Sequence, residues 1–285
     1  MPELPEVEVL RRELAPVLQG AHLTRVVLRR ANLRRPFPHD FDARIAGATV
    51  LRLRRRAKYL LADLSSRDTL IMHLGMSGWF RIEAADHTPV PHDHVVFVLS
   101  SGRAVVFNDP RRFGVMDLVA TADADSSAPL GALGPEPLSD DFDAAALAAA
   151  CARSRRPLKV ALLDQEVVAG LGNIYASEAL HLARLSPRLP AAAIATTTGV
   201  PRAGAHRLAA AIKRVLVRAI HHLERDSGTQ RFRVYDRDGR RCPRRGCPGT
   251  IRRITQAGRS TFHCPVCQRR RRPAPALRSN RATRR

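Results

Sequence analysis

Two hydrophobic periods divide the chain. Residues 3–18 carry apolar positions at helical spacing and predict an opening helix. Residues 21–64 then read as strands, with β-branched and Leu positions alternating with Arg. Over 50–61 this alternation gives one apolar and one cationic face, and Lys58 ends the cationic run. Further strands are expected over 69–82 and 94–118, the latter as two strands joined at Ser100-Ser101-Gly102-Arg103, a hairpin signal. Residues 121–139 are rich in Ala, Asp, Ser, Pro and Gly and read as a linker. From 140 to 226 the period becomes helical, interrupted at Pro157, Gly170 to Gly172, Pro187 and Pro201, which predicts about four helices.

The expected fold is therefore α+β. A β-sandwich or barrel-like domain with the first helix packed on it spans 1–120, and the linker spans 121–139. A helical domain covers 140–228, a small metal module 229–268, and a basic, disordered tail 269–285. A chain of 285 residues can bury cores of this size in two domains. No apolar run approaches the ~20 residues of a membrane span, and there is no signal-peptide pattern, so a cytoplasmic protein without a membrane partner is expected.

Charge sharpens this picture. The net charge is +22, and residues 229–285 hold 18 Arg, no Lys and only Asp236 and Asp238, which is +16 of it. Such concentration is the footprint of a polyanion partner, most simply nucleic acid. Only Lys58, Lys159 and Lys213 among the 48 basic residues are Lys. An Arg-dominated chain that keeps Lys raises the question of where an amine is needed, because Arg cannot release its proton.

Five stretches carry candidate chemistry. In Met1-Pro2-Glu3-Leu4-Pro5-Glu6-Val7-Glu8, removal of the initiator Met would leave a secondary amine at Pro2. A free α-amino group of pKa ~8 is partly a nucleophile at neutral pH and can form a Schiff base, with Glu3 beside it as acid or base. The alternative for these eight residues is a helix start, with Pro5 at N1 and Glu6 and Glu8 as first-turn acids. Cys242, Cys247, Cys264 and Cys267 form two pairs sixteen residues apart, the pattern of a closed structural zinc site on two knuckles. Between them residues 250–262 should form a hairpin with Gly258-Arg259-Ser260 near its tip, where an Arg could grip phosphate. The fifth cysteine, Cys151, reads as a small buried apolar residue.

Asn173, after the Gly-rich turn at 170–172, suits a helix N-cap, where unpaired N–H groups hold phosphate. Asn108-Asp109-Pro110-Arg111-Arg112-Phe113-Gly114 puts a cation and an aromatic on a turn, and Met76 sits on another, between Gly75 and Ser77-Gly78. Such wedges can fill the gap left by an extruded base, and each alone is equally a packing residue. His87, His92 and His94 have no accompanying carboxylate pattern and read as structural rather than as a second metal site.

Together these motifs resemble the formamidopyrimidine-DNA glycosylase and endonuclease VIII family of base-excision repair enzymes, over nearly the whole chain. The Leu4-Pro5 after Glu3 is similar to the formamidopyrimidine branch. The resemblance implies a bifunctional glycosylase and abasic-site lyase that removes oxidised purines from double-stranded DNA, with β- and δ-elimination after a Schiff base. It assigns attack on C1′ to Pro2, assistance at the sugar to Glu3, and an amine at the lesion backbone to Lys58. It further places Asn173 and Arg259 on the flanking phosphates, and Met76, Arg111 and Phe113 in the vacated stack. Lys159 approaches the lesion side, His92 joins the DNA-binding set, and 140–228 becomes a helix–two-turn–helix module. One structural zinc and a monomeric, bacterial, nucleoid-associated enzyme are implied. Two features depart from the family pattern. The first cysteine pair has four intervening residues rather than two, and the region 221–233 replaces a longer loop that closes over the flipped base. A short lid makes fewer base contacts, which leaves oxidised pyrimidines as an alternative substrate class. A damage-binding protein without chemistry is the alternative from another class, and binding alone needs none of Pro2, Glu3 and Lys58.

Overall fold

The computed structural model describes residues 2–225 and 231–269. Positions 226–230 of the expected short lid and 270–285 of the expected tail lie outside the described residues.

Helix α1 (Leu4–Leu18) is followed by β1 (Leu23–Leu28), the short α2 (Phe41–Ile45), and strands β2 (Val50–Arg56), β3 (Tyr59–Leu64), β4 (Asp68–His73), β5 (Trp79–Ala84), β6 (Asp93–Leu99), β7 (Arg103–Asn108) and β8 (Val115–Ala120). The strands form two four-stranded antiparallel sheets, ordered β1-β6-β7-β5 and β2-β3-β4-β8. Inward residues of both sheets, among them Leu53, Leu60, Phe97, Val105 and Phe107, share one core. The expected sandwich and the hairpin at 100–103 are both present.

Residues 50–61 are not one run. A two-residue turn at Ala57-Lys58 breaks them into β2 and β3, with Ala57 at φ +53°. The apolar face is also interrupted: the register shifts between Val50 and Arg52, and Leu51 is exposed. A bulge of this kind flips the side chains that follow it. Nor is the cationic face free. Arg54 pairs with Asp63 and Asp125, Arg55 with Glu8 and Glu136, and Arg56 with Glu136.

α1 belongs to two cores at once. Its Val7, Leu14 and Leu18 enter the sandwich, while Leu4 and Val9 enter the helical core. That second core is built by α3 (Ala144–Cys151), α4 (Leu158–Leu162), α5 (Asn173–Ala183) and α6 (Ala203–Arg225), the four α-helices of this half. Cys151 is fully buried within it, and burial pushes its thiol up to about 11, as an inert core residue requires. The stretch 121–139 is packed rather than loose. It holds a 3-10 helix (Thr121–Ser126), buries Leu130 beside Leu61 and Ile71, and sends Glu136 onto the β2–β3 turn.

The chain ends in a hairpin of β9 (Arg252–Gln256) and β10 (Arg259–His263). Its tip is Ala257-Gly258, both at positive φ, the geometry of a two-residue turn that matches strand twist.

Candidate active site

Two glycines bring the site together. Gly170, at φ +77°, accepts the Leu4 N–H at 3.3 Å, and a Cβ there would lie 2.7 Å from the Leu4 side chain and 3.2 Å from Ala57 Cα. A Cβ at Gly172 would lie 2.1 Å from Glu3 Cδ. Only residues without side chains allow the start of α1, the β2–β3 turn and the start of α5 to meet here.

Glu3, 1% exposed, fills that space. Its carboxylate accepts the N–H of Ile174 at 3.0 Å and of Tyr175 at 3.4 Å. α5 is thus capped by a residue 171 positions away, and Gly172, not Asn173, occupies the N-cap position. This corrects the N-cap expectation, and two N–H groups of this helix start, those of Ile174 and Tyr175, are already used. Burial raises the Glu3 pKa, opposed by the Lys58 charge and the two N–H bonds. Pro2 directly precedes Glu3 and is half-buried. Glu6 ties the same end down, accepting the Glu3 N–H at 2.9 Å and the Tyr175 hydroxyl at 2.6 Å.

Lys58, on the β2–β3 turn, donates to the Leu171 carbonyl at 3.2 Å. Its pKa is lowered, first by burial and also by the Arg259 charge, while Glu3 and Glu6 act in the opposite sense. Lys159, from α4, is fully buried and uses all three ammonium protons, on Asn173 Oδ1 at 2.6 Å, Thr261 Oγ1 at 2.8 Å and the Ser260 carbonyl at 2.9 Å. Burial pulls it down to about 8. Asn173 Nδ2 donates to the same Ser260 carbonyl at 3.0 Å. This triangle docks the hairpin on α5 and leaves Arg259 exposed beside it. The structure therefore gathers Glu3, Lys58, Lys159, Asn173 and Arg259 around one point, next to Pro2.

Met76, Arg111 and Phe113 form a second group. Met76 and Phe113 are among the exposed large apolar residues, at 42% and 37%, and the Arg111 guanidinium lies 4.7 Å over the Phe113 ring. Buried Asp109 fixes both turns, accepting Ser77 Oγ at 2.6 Å and the Gly114 N–H at 2.8 Å. Exposed apolar and cationic side chains on a rigid base are suited to entering a base stack. His94 is structural as expected, buried with Nε2 2.9 Å from the Asp109 carbonyl, and His92 stands edge-on to it at φ +73°. His87 is half-buried, with Nδ1 3.0 Å from the Ala84 carbonyl.

Sequence reasoning missed His73. At the end of β4, it stacks on Tyr59 with centroids 4.9 Å apart and accepts the Gly75 N–H at 3.0 Å. Burial, then the charges of Lys58 and Arg34, lowers it to about 4. It stands between the lysine turn and the Met76 turn, and it is brought there by cross-strand pairing with Tyr59, which no local sequence pattern announces. Glu178 was missed as well. It accepts the N–H groups of Arg233, Val234 and Tyr235 at 2.8 to 2.9 Å, which fixes the chain just beyond the lid region.

The four cysteine sulfurs lie within 4.8 Å of one another, with Cys242–Cys267 at 3.9 Å and Cys247–Cys264 at 3.7 Å. A tetrahedron of thiolates about 2.3 Å from zinc has edges of about 3.8 Å, so the donor set fits that ion. The four-residue spacing of the first pair has not distorted it.

Comparison with known proteins agrees with this geometry. Residues 1–116 match the family model described as the formamidopyrimidine-DNA glycosylase N-terminal domain, and 133–232 the one described as the formamidopyrimidine-DNA glycosylase H2TH domain. A Beijerinckia indica protein named formamidopyrimidine-DNA glycosylase is 52% identical, covering 94% of this chain and all of that one. The MutM (Fpg) protein of Thermus thermophilus is 39% identical with a TM-score of 0.80, covering 94% of this chain and 98% of that one. The Lactococcus lactis Fpg, solved with DNA containing Fapy-dG, is 31% identical with a TM-score of 0.82, covering 94% of this chain and all of that one. With fold, site and sequence in agreement over nearly its whole length, the chain belongs to the formamidopyrimidine-DNA glycosylase family.

Proposed function

We propose that the protein is a DNA glycosylase and abasic-site lyase of base-excision repair that acts on oxidised purines in duplex DNA, formamidopyrimidines first and 8-oxoguanine second. The observation that carries this reading is the meeting of Pro2-Glu3, Lys58, Asn173 and Arg259 at one point. The proposed nucleophile is the Pro2 amine, exposed once Met1 is removed. It attacks C1′, the glycosidic bond breaks, and the base leaves with its bonding pair. The Pro2 nitrogen then gives up its proton and its lone pair displaces O4′, which takes a proton as the sugar ring opens, leaving an iminium between Pro2 and C1′. The iminium acidifies the C2′ proton, whose loss expels the 3′ phosphate, and loss of the C4′ proton in a second elimination expels the 5′ phosphate.

Glu3, its pKa raised by burial, is suited to exchange a proton with the opening sugar. Lys58, less basic than a free lysine, is the amine assigned to the lesion backbone. Arg259 and Asn173 are assigned to the flanking phosphates, and Met76, Arg111 and Phe113 to the vacated stack, with His92 on the same DNA-facing side. Lys159 acts as a positioning residue, because its three bonds set Asn173 against the hairpin. Cys242, Cys247, Cys264 and Cys267 would hold one structural zinc, which supplies rigidity to the hairpin and no chemistry. The segmentation at 120, 139, 228 and 268 is proposed as the domain plan, and a cytoplasmic monomer as the working form.

The test is borohydride trapping on duplexes carrying an abasic site, a ring-opened purine, 8-oxoguanine or an oxidised pyrimidine. Adducts on the abasic and purine-derived lesions, lost when the N-terminal amine is blocked, are expected. A zinc-loaded protein that binds these duplexes without any adduct would be a damage binder and not an enzyme. Strongest trapping on the pyrimidine lesion would move the substrate class.

A further inference from the structure

A groove of about 1010 Å³ opens between the C-terminal end of α5, the N-terminal end of α6 and the cysteine knuckle. α5 is eleven residues long, about 16 Å, and its opposite end carries Asn173, so the groove stands well away from the active site. Its floor is apolar, formed by Leu185, Ile194 and Val266. Its rim carries Arg184, Arg202, Arg207 and Arg269, all exposed. Arg207 and Arg269 each donate only to a main-chain carbonyl. Among the described residues none of the four is paired with a carboxylate.

The groove is preformed. Gln268 joins its two walls, donating to the Leu185 carbonyl at 2.9 Å and accepting the Cys264 N–H at 2.8 Å, and Arg244 donates to the His181 carbonyl at 2.6 Å. A duplex offers phosphates and polar groove edges, which an apolar floor does not recognise. The chain's own C-terminal stretch is no better match, since 270–285 holds seven Arg and no acidic residue. Four unneutralised cations around an apolar floor complement carboxylates flanking apolar side chains.

We propose that this groove docks an acidic peptide segment of a partner protein, with apolar side chains on Leu185, Ile194 and Val266 and carboxylates on the arginine rim. The surface is separate from the glycosylase site and does not depend on the reaction assigned there.

The test is fluorescence anisotropy of the zinc-loaded full chain with a labelled peptide of Asp and Glu around a central Phe-Leu pair. Saturable binding is expected, which weakens when Phe-Leu is replaced by Ser-Ser and persists in saturating abasic-site duplex. The double variant Arg202→Glu, Arg207→Glu should weaken peptide binding roughly tenfold or more, with duplex affinity and borohydride trapping held within about twofold. The proposal is overturned if the double variant binds the peptide unchanged, or if the Ser-Ser peptide binds equally well, which is bulk charge attraction. It is also overturned if duplex displaces the peptide or the double variant loses duplex affinity, because the groove is then part of the DNA interface. Loss of trapping with peptide binding intact would count against the glycosylase reading alone.

Discussion

Glu3 does two things with one carboxylate: it caps α5, and it lies beside the amine proposed as nucleophile. The two roles separate by substitution. Glu3→Gln keeps an oxygen for the Ile174 N–H, so the melting temperature should move little while trapping on damaged bases falls by about 10²- to 10⁴-fold. Equal losses of stability and activity would reduce Glu3 to a cap. Gly172→Ala acts through the same carboxylate. Its Cβ has no room within 2.1 Å of Glu3 Cδ, so it should displace the cap at a cost of about 1–3 kcal/mol and lower trapping with it, as read by thermal melts beside the trapping assay. The chemistry-bearing side chains were legible in the sequence because their types and spacing are chemically restrictive: a proline after Met1, a lone amine among arginines, four paired thiols. Their mutual placement was not. The cap on α5 comes from 171 residues away, and no local pattern encodes it.

Elements meet through charges that local periodicity cannot reveal. The run at 50–61 looked continuous because its turn, Ala57-Lys58, contains none of the residues that announce turns. Glu136, from the stretch read as linker, holds the Ala57 N–H and thereby supports a positive φ on alanine. The 100–103 hairpin carries its own Gly and was legible for that reason. Glu8 joins α1 to β2, taking Arg11 and Arg12 at 2.8 Å and Arg55 at 3.0 Å, while Arg12 reaches on to Glu224 of α6. Burial pushes the Glu8 carboxyl up, but the bonds from Arg11, Arg12 and Arg55 outweigh it and hold it at about 2. A depressed carboxyl contributes stability above its unfolded pKa of ~4.3 that disappears as pH falls through about 2. Glu8→Gln should cost about 2 kcal/mol at pH 7 and flatten the acid limb of a stability–pH curve below ~4.3. An unchanged acid limb would mean that the network carries no net stability.

At the scale of the molecule, α1 is shared between two cores, and the hairpin is held on α5 by the buried Lys159 ammonium together with the Asn173 amide. Lys159→Met leaves three acceptors without their donor and should cost about 2–4 kcal/mol, with weaker duplex binding because Arg259 loses its support; denaturation and binding isotherms check both. Chelation of zinc should act on the same module, which has too small a core to persist without metal, and should lower duplex affinity before it unfolds the sandwich. The logarithm of the binding constant should fall linearly with the logarithm of salt concentration, with a slope of about 0.9 per phosphate neutralised. The most direct test of the whole account is the position of the covalent bond. Two lysines, Lys58 and Lys159, lie within electrostatic reach of Glu3, beside the proposed Pro2 amine, and are the other amines that could be trapped. Peptide mapping by mass spectrometry of the borohydride-trapped abasic adduct should find the sugar on the peptide that begins at Pro2. An adduct on Lys58 or Lys159 would contradict the account.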